Sequence, residues 1–342
     1  MRAAILKAPG ILELDDIPDL ECPKGGALVR VEACSVCGTD IKMLEKGHKD
    51  LAYPRILGHE IVGTVLEIAQ ETGIVEGDLV QVWPGIACGS CRSCLRGNDN
   101  ECESIEILGF SQDGGFAELI ALPKESVFRG LNPVRKHSGS EFIALAEPLA
   151  CCINGQELTR VSEGDTVLII GGGPLGCIHA VLAKIRGAEK IIIVEKLEGR
   201  REKLKRHTDC AVLDASEPLH QSVASEADGH GVDVILTATP EARVDDLLLK
   251  QLAPGGRLCI FSGPRPESSA EIIDIRSMHY RELMVVGAYG CSSRQNRTAV
   301  ELLESGRAKV DWIVTKRTTL DRIHDALRYS SERRGLKSII EG

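Results

Sequence analysis

The sequence predicts a two-part α/β protein, a mainly antiparallel β region followed by a doubly wound parallel sheet. Short β-type runs separated by Gly-rich turns fill residues 1–150. From Asp165 onward, apolar strands alternate with helical segments. A glycine triplet stands at the first strand-to-helix junction of that alternating stretch.

Met1–Gly10 reads as a short strand closed by a Pro-Gly turn, and Ala27–Val31, Ile61–Ile68 and Leu79–Trp83 are further β-type runs. The second region opens with the strand Thr166–Ile170 and a helix from Pro174 to about Arg186. Lys190–Val194, a charged helix over Arg200–His207 and the strand Val232–Ala238 follow. A helix is expected across Ala242–Leu252, then strands at Arg257–Phe261 and Leu283–Tyr289. Parallel strands need crossover connections, and these helices supply them. Helices at Thr298–Ser305 and Leu320–Ser331 read as a return to the first region.

Aromatic residues make up only 3% of the 342, so aliphatic side chains must fill the core and no base-stacking platform is expected. The net charge of −9 argues against a phosphate-binding surface for DNA or RNA. No secretory leader is expected, and no apolar run approaches the roughly 18–20 residues of a membrane helix. Neither a nucleic-acid nor a membrane partner is expected. The 13 cysteines are odd in number and clustered, which in a reducing compartment points to metal ligation, so a cytoplasmic protein is expected.

Gly171, Gly173 and Gly176 in VLIIGGGPLG follow a buried strand and open a helix through Pro174 and Leu175. The first glycine allows a tight turn, the second a close approach of backbone amides to pyrophosphate, and the third close helix–strand packing. Glu195 ends the next strand about 20 residues on, where an acid accepts ribose hydroxyls and repels a 2′-phosphate. NAD is therefore expected over NADP, although Arg200 and Arg201 follow closely and Arg200 is a candidate cofactor contact.

Cys88, Cys91, Cys94 and Cys102 offer four thiolates within a short Gly-, Ser- and Asn-rich segment. Four sulfur ligands close a tetrahedral site, so this is a structural zinc site; iron suits the same donors chemically. Cys37, His59, Glu60 and Glu147 are scattered but offer the mixed S, N and O donors of a catalytic zinc with an open position.

Together CGTD at 37–40, GHE at 58–60, the cysteine cluster, DGGFAE at 113–118, EPLA at 147–150 and GGGPLG at 171–176 resemble the zinc-dependent medium-chain dehydrogenase/reductase family. HYRELMVVGAYG at 279–290 and GLKSII at 335–340 carry the likeness to its sorbitol (polyol) dehydrogenase branch through to the C-terminus. The resemblance implies a twisted, GroES-like β catalytic domain from residues 1–150 and 287–342, with a Rossmann domain at 151–286. It implies that Cys37 and His59 bind the catalytic zinc, and that Glu60 and Glu147 complete the shell or exchange with water. Thr39 would pass the substrate hydroxyl proton outward. Many relatives carry His three residues later, where this chain has Lys42, which ends the relay or merely faces solvent.

The implied reaction moves a hydride between an alcohol carbon and the nicotinamide ring. A polyol, sugar alcohol or other secondary alcohol fits best. L-Threonine dehydrogenases share the length and the Glu-rich zinc shell, but they usually carry a His before the cysteine cluster and PFGN after the acidic ligand. A simple alcohol is a third substrate class, and a zinc-stabilised nucleotide-binding protein without catalysis is the rival of another kind. The resemblance implies a homodimer or homotetramer, with Leu283–Val286 as the expected edge strand at the interface.

Overall fold

The computed structural model describes residues 1–69, 72–135, 139–263 and 273–342. The chain forms two compact units, Met1–Ala150 with Cys291–Gly342, and Cys151–Gly290.

In the first unit the alternating apolar runs become strands β1 (Arg2–Ala8), β2 (Ile11–Asp16) and β3 (Ala27–Ser35), followed by helix α1 (Gly38–Lys46). Strands β4 (Arg55–Ile56), β5 (Glu60–Ile68), β6 (Leu79–Val82) and β7 (Gly85–Ile86) come next, with helix α2 (Arg92–Leu95) in the cysteine segment. Then follow β8 (Glu106–Ile107), β9 (Leu119–Leu122), helix α3 (Lys124–Gly130) and β10 (Leu131–Val134). Helix α4 (Ala146–Leu158) leads out of the unit.

The second unit alternates β11 (Thr166–Ile170), α5 (Pro174–Ile185), β12 (Lys190–Glu195), α6 (Glu198–His207) and β13 (Ala211–Asp214). It continues with α7 (Leu219–Glu226), β14 (Val232–Thr237), α8 (Asp246–Leu249), β15 (Leu252–Ile260), α9 (Ile275–Tyr280) and β16 (Met284–Gly287). Its six strands form one parallel sheet in the order β13-β12-β11-β14-β15-β16. The apolar strands β11, β12 and β14 lie at its centre, as a sheet covered on both faces requires.

The chain then returns to the first unit through α10 (Ser293–Glu304), β17 (Val314–Thr319), α11 (Ile323–Ser331) and β18 (Lys337–Glu341). β18 lies between β3, to which it is antiparallel, and β17, to which it is parallel. β3 also pairs with β5 and β9, so it is the hub of a seven-stranded sheet. Phe116, Leu6, Met43 and Ile61 fill the core between this sheet and the smaller β2-β1-β4 sheet.

Two helices differ from expectation. The run Ala242–Leu252 yields only α8, because the Asp245 carboxylate caps Leu247 and Leu248 N–H at 3.1 and 3.0 Å, while Leu252 is already paired with Val232 in the sheet. The helix expected at Thr298 begins at Ser293, where Ser292 and Gln295 form a reciprocal capping box.

Candidate active site

Cys37 occupies the N-cap position of α1, and its N–H donates to the Asp40 carboxylate at 2.8 Å, fixing the start of the helix. Gly58 (φ +92°) turns the chain into β5 where a Cβ would strike Phe116 and Cys34, and this turn presents His59 and Glu60. One donor atom each from Cys37, His59 and Glu60 lies within 4.8 Å of the others. A thiolate, an imidazole and a carboxylate converging in this way fit zinc, with a coordination position left over. Thr39 is half-buried in the first turn of α1, whereas Lys42 is exposed and has no hydrogen-bond or ion-pair partner among the described residues.

Two residues that sequence reasoning passed over orient these donors. Asp40, fully buried, accepts from Gly58 N–H at 3.3 Å and stands 3.3 Å from His59 Nδ1. Lys337 on β18 donates from Nζ to the Glu60 carboxylate, at 2.5 Å to Oε2, and to the Val36 carbonyl at 3.1 Å. Ser35, opposite Glu60 in the β3–β5 ladder, also donates to that carboxylate. Burial pushes the Glu60 carboxyl up to about 7; the Lys337 ammonium opposes the rise and the Glu147 charge adds to it. Glu147, buried in the first turn of α4, acts electrostatically on both Glu60 and Lys337. It stands outside the set of donors that converge with Cys37.

The Sγ atoms of Cys88, Cys91, Cys94 and Cys102 all lie within 4.8 Å of one another, with Cys88 and Cys94 at 4.0 Å. A tetrahedron of thiolates about 2.3 Å from a zinc ion has an edge of roughly 3.8 Å, so the cluster fits a closed zinc site. The 4.0 Å spacing is far beyond a disulfide bond, and the four thiols are free. Backbone N–H groups of Ser90 and Cys91 donate to Cys88 Sγ and push its thiol down to about 5, favouring the ligating thiolate. Asp99 anchors this lobe to the start of α10, accepting from Ser293 N–H at 2.8 Å and Ser293 Oγ at 2.5 Å.

In the second unit, Gly171 has φ +107° and Gly173 caps α5, with Pro174 in its first turn. A Cβ on Gly176 would stand 1.8 Å from the Gly171 carbonyl, so only glycine permits this helix to meet this turn. Leu175 is half-buried in the first turn of α5. Glu195 is buried at the end of β12, and its carboxylate accepts from Gly172 N–H and Leu197 N–H, each at 2.8 Å. Arg200 reaches over Gly173, where an added Cβ would lie 3.3 Å from its Nη1. Arg201 is committed elsewhere, to the carbonyls of Glu195 and Lys196 and to Asp214 at 2.7 Å.

One unit with a mixed donor set and a four-thiolate lobe, and another with a glycine loop before a helix, define a metal- and dinucleotide-dependent oxidoreductase. Residues 23–132 match the alcohol dehydrogenase GroES-like domain and residues 174–305 the zinc-binding dehydrogenase domain, and the chain belongs to this zinc-dependent dehydrogenase family. It is 32% identical to an L-threonine 3-dehydrogenase of Pyrococcus abyssi, covering 88% of this chain and 87% of that one. It is 30% identical to a D-altritol 5-dehydrogenase of Agrobacterium fabrum, covering 94% of each. A zinc-binding dehydrogenase from Sinorhizobium meliloti, solved bound to NADP, superposes with a TM-score of 0.89 at 28% identity, covering 100% of this chain and 99% of that one.

Proposed function

We propose that this protein oxidises a polyol, sugar alcohol or other secondary alcohol, passing the hydride to NAD. The observation that carries the reading is the convergence of Cys37, His59 and Glu60, backed by Asp40 and Lys337. In this reading Cys37, His59 and Glu60 hold the catalytic zinc, Glu147, outside the converging donors, exchanges with water in its shell, and Cys88, Cys91, Cys94 and Cys102 hold a structural zinc. Bound zinc supplies a Lewis acid to the substrate oxygen. Thr39 takes the hydroxyl proton, and Lys42, three residues on and exposed, marks where the path meets solvent.

The glycine loop and the start of α5 receive the pyrophosphate. Each Glu195 oxygen keeps lone-pair capacity for a ribose hydroxyl beyond its one backbone N–H, and the buried charge disfavours a 2′-phosphate. Arg200 beside Gly173 is the cation for the phosphates. The Sinorhizobium structure binds NADP, so the cofactor is tested directly.

The assembly we propose is a homodimer or homotetramer in the cytoplasm. β16 is an edge of the parallel sheet, with Tyr280 and Ile275 exposed before it, and an open edge of this kind suits pairing with a two-fold mate. No helix among the described residues is long and apolar enough to cross a membrane.

A second reading, oxidation of L-threonine, is favoured by the Pyrococcus relative. Pro148-Leu149-Ala150 after Glu147 speaks for the polyol. The test is the rate of NADH and NADPH formation by zinc-loaded protein with hexitols, pentitols, 2-butanol and L-threonine. A hexitol or pentitol with NAD is expected to give the highest kcat/KM. L-Threonine ahead of every polyol transfers the assignment to the second reading, and no turnover with any of them overturns both.

A further inference from the structure

We infer that His48 is a specificity residue of the zinc centre, its Nε2–H donating to a hydroxyl of the substrate remote from the reacting carbon. The inference rests on the polyol reading above and assigns a residue to it.

Three rings form a ladder in the first unit. The Phe110 ring meets the His59 ring edge-on, with centroids 5.2 Å apart at 64°, and meets the His48 ring likewise at 5.6 Å and 88°. His59 is a donor of the catalytic cluster, so His48 stands two rings from the metal position. Phe110 is buried, whereas the His48 side chain is 21% exposed, so the ladder runs from the buried donor to an accessible imidazole.

The loop holds His48 in place. Gly47 ends α1 with φ +73°, its N–H donates to the Met43 carbonyl at 2.9 Å, and Tyr53 Oη occupies the space a Cβ there would need. The His48 carbonyl accepts from Leu51 N–H at 3.1 Å, closing the turn. Two groups of Asp50 face His48 Nδ1: the N–H donates to it at 3.3 Å, and carboxylate Oδ2 stands at 3.6 Å, beyond hydrogen-bond distance, so the nearer contact favours the ring proton on Nε2. Nε2 has no partner among the described residues, so a donor is left available on the ring that Phe110 joins to His59.

A simple secondary alcohol has one hydroxyl, which the metal centre takes. A polyol presents further hydroxyls along its chain, and a fixed donor two rings away distinguishes the two classes. Such a contact is made alike in ground and transition states, so its loss raises KM more than it lowers kcat.

The test compares wild type, His48→Leu and His48→Gln, all zinc-loaded, with D-sorbitol, galactitol, xylitol and 2-butanol as substrates and NAD as cofactor. Zinc content is measured in parallel. In His48→Leu the ratio of kcat/KM for the best polyol to that for 2-butanol is expected to fall about three- to tenfold, as one neutral hydrogen bond implies. The loss should sit in KM, with zinc content unchanged, and His48→Gln should recover part of the ratio through its amide N–H. An unchanged ratio overturns the assignment. So does an equal loss on all substrates accompanied by loss of zinc, which would show that His48 merely props Phe110 against His59. If wild-type protein oxidises 2-butanol or L-threonine but no polyol, the polyol reading itself has failed and the His48 role fails with it. A failure of the His48 assignment alone leaves wild-type polyol turnover intact.

Discussion

Replacing Lys337 with Met is expected to cost about 3–5 kcal/mol of stability, the range for removing one partner of a buried ion pair. Both charges are shut off from water: Lys337 is 3% exposed and Glu60 is fully buried. The ammonium satisfies both carboxylate oxygens and the Val36 carbonyl, so the truncation strands an acceptor and leaves a buried carboxyl that must stay charged without a partner or take up a proton. Ser35 alone remains as a donor to Glu60. Urea unfolding of protein stripped of its accessible zinc, so that no metal offsets the Glu60 charge, followed by far-ultraviolet circular dichroism, measures the loss. It should appear in melting as a drop of roughly 6–20 °C. The double variant Lys337→Met/Glu60→Gln removes that buried carboxyl and should be more stable than Lys337→Met. A single-variant loss below about 1 kcal/mol, or a double variant no better than the single, would refute the view that this pair secures the site.

Metal analysis should find two zinc ions per chain, one removed readily by chelator and one held by the four-thiolate lobe. Cys91→Ser should lower the resistant zinc and impair folding, whereas His59→Ala should lower the accessible one with the fold intact; one zinc per wild-type chain would count against the two-site assignment. His179 supplies a pH test. It is fully buried on α5 beside Gln156, and burial pushes its imidazole down to about 3, with Arg186 adding to the effect. Its folded value lies below its unfolded value near 6.5, so the neutral ring stabilises the fold fully above that pH, and this is lost as pH falls toward 3. The slope is about 1.4 kcal/mol per pH unit, so wild type should lose about 2–3 kcal/mol more than His179→Leu between roughly pH 6.5 and 4.5. Parallel pH profiles in urea unfolding would contradict this.

The strands of the second unit and its glycine loop were legible because each is a local pattern. An apolar run, a turn that only glycine permits and a helix follow one another within Thr166–Ile185. The cysteine lobe was legible for the same reason. Lys337 was not, since it acts across 277 residues of sequence on Glu60 and looks like a stray charge before Ile339 and Ile340. Asp40 carried a signal that could have been used, an acid at the third helical position after an N-cap, able to reach back to the cap N–H. His48 gave none, because its ring neighbour, Phe110, comes from a distant loop. The leucines of Ala242–Leu252 misled because helical spacing continued past the point where Leu252 joins the sheet.

The position of β18 between β3 and β17 has a consequence for how the molecule is made. Synthesis delivers β3, α1 and β5 early, and with them Cys37, His59 and Glu60, but the whole of Cys151–Gly290 must emerge before Lys337 does. Until then Glu60 lacks the Lys337 ammonium and β3 lacks its β18 partner. Doubling the length of such a loop adds only about 0.6 kcal/mol to its closure, so a melted second unit burdens the final pairing little in free energy. The burden falls on time: the sheet cannot close until the ribosome reaches the segment that supplies its last strand.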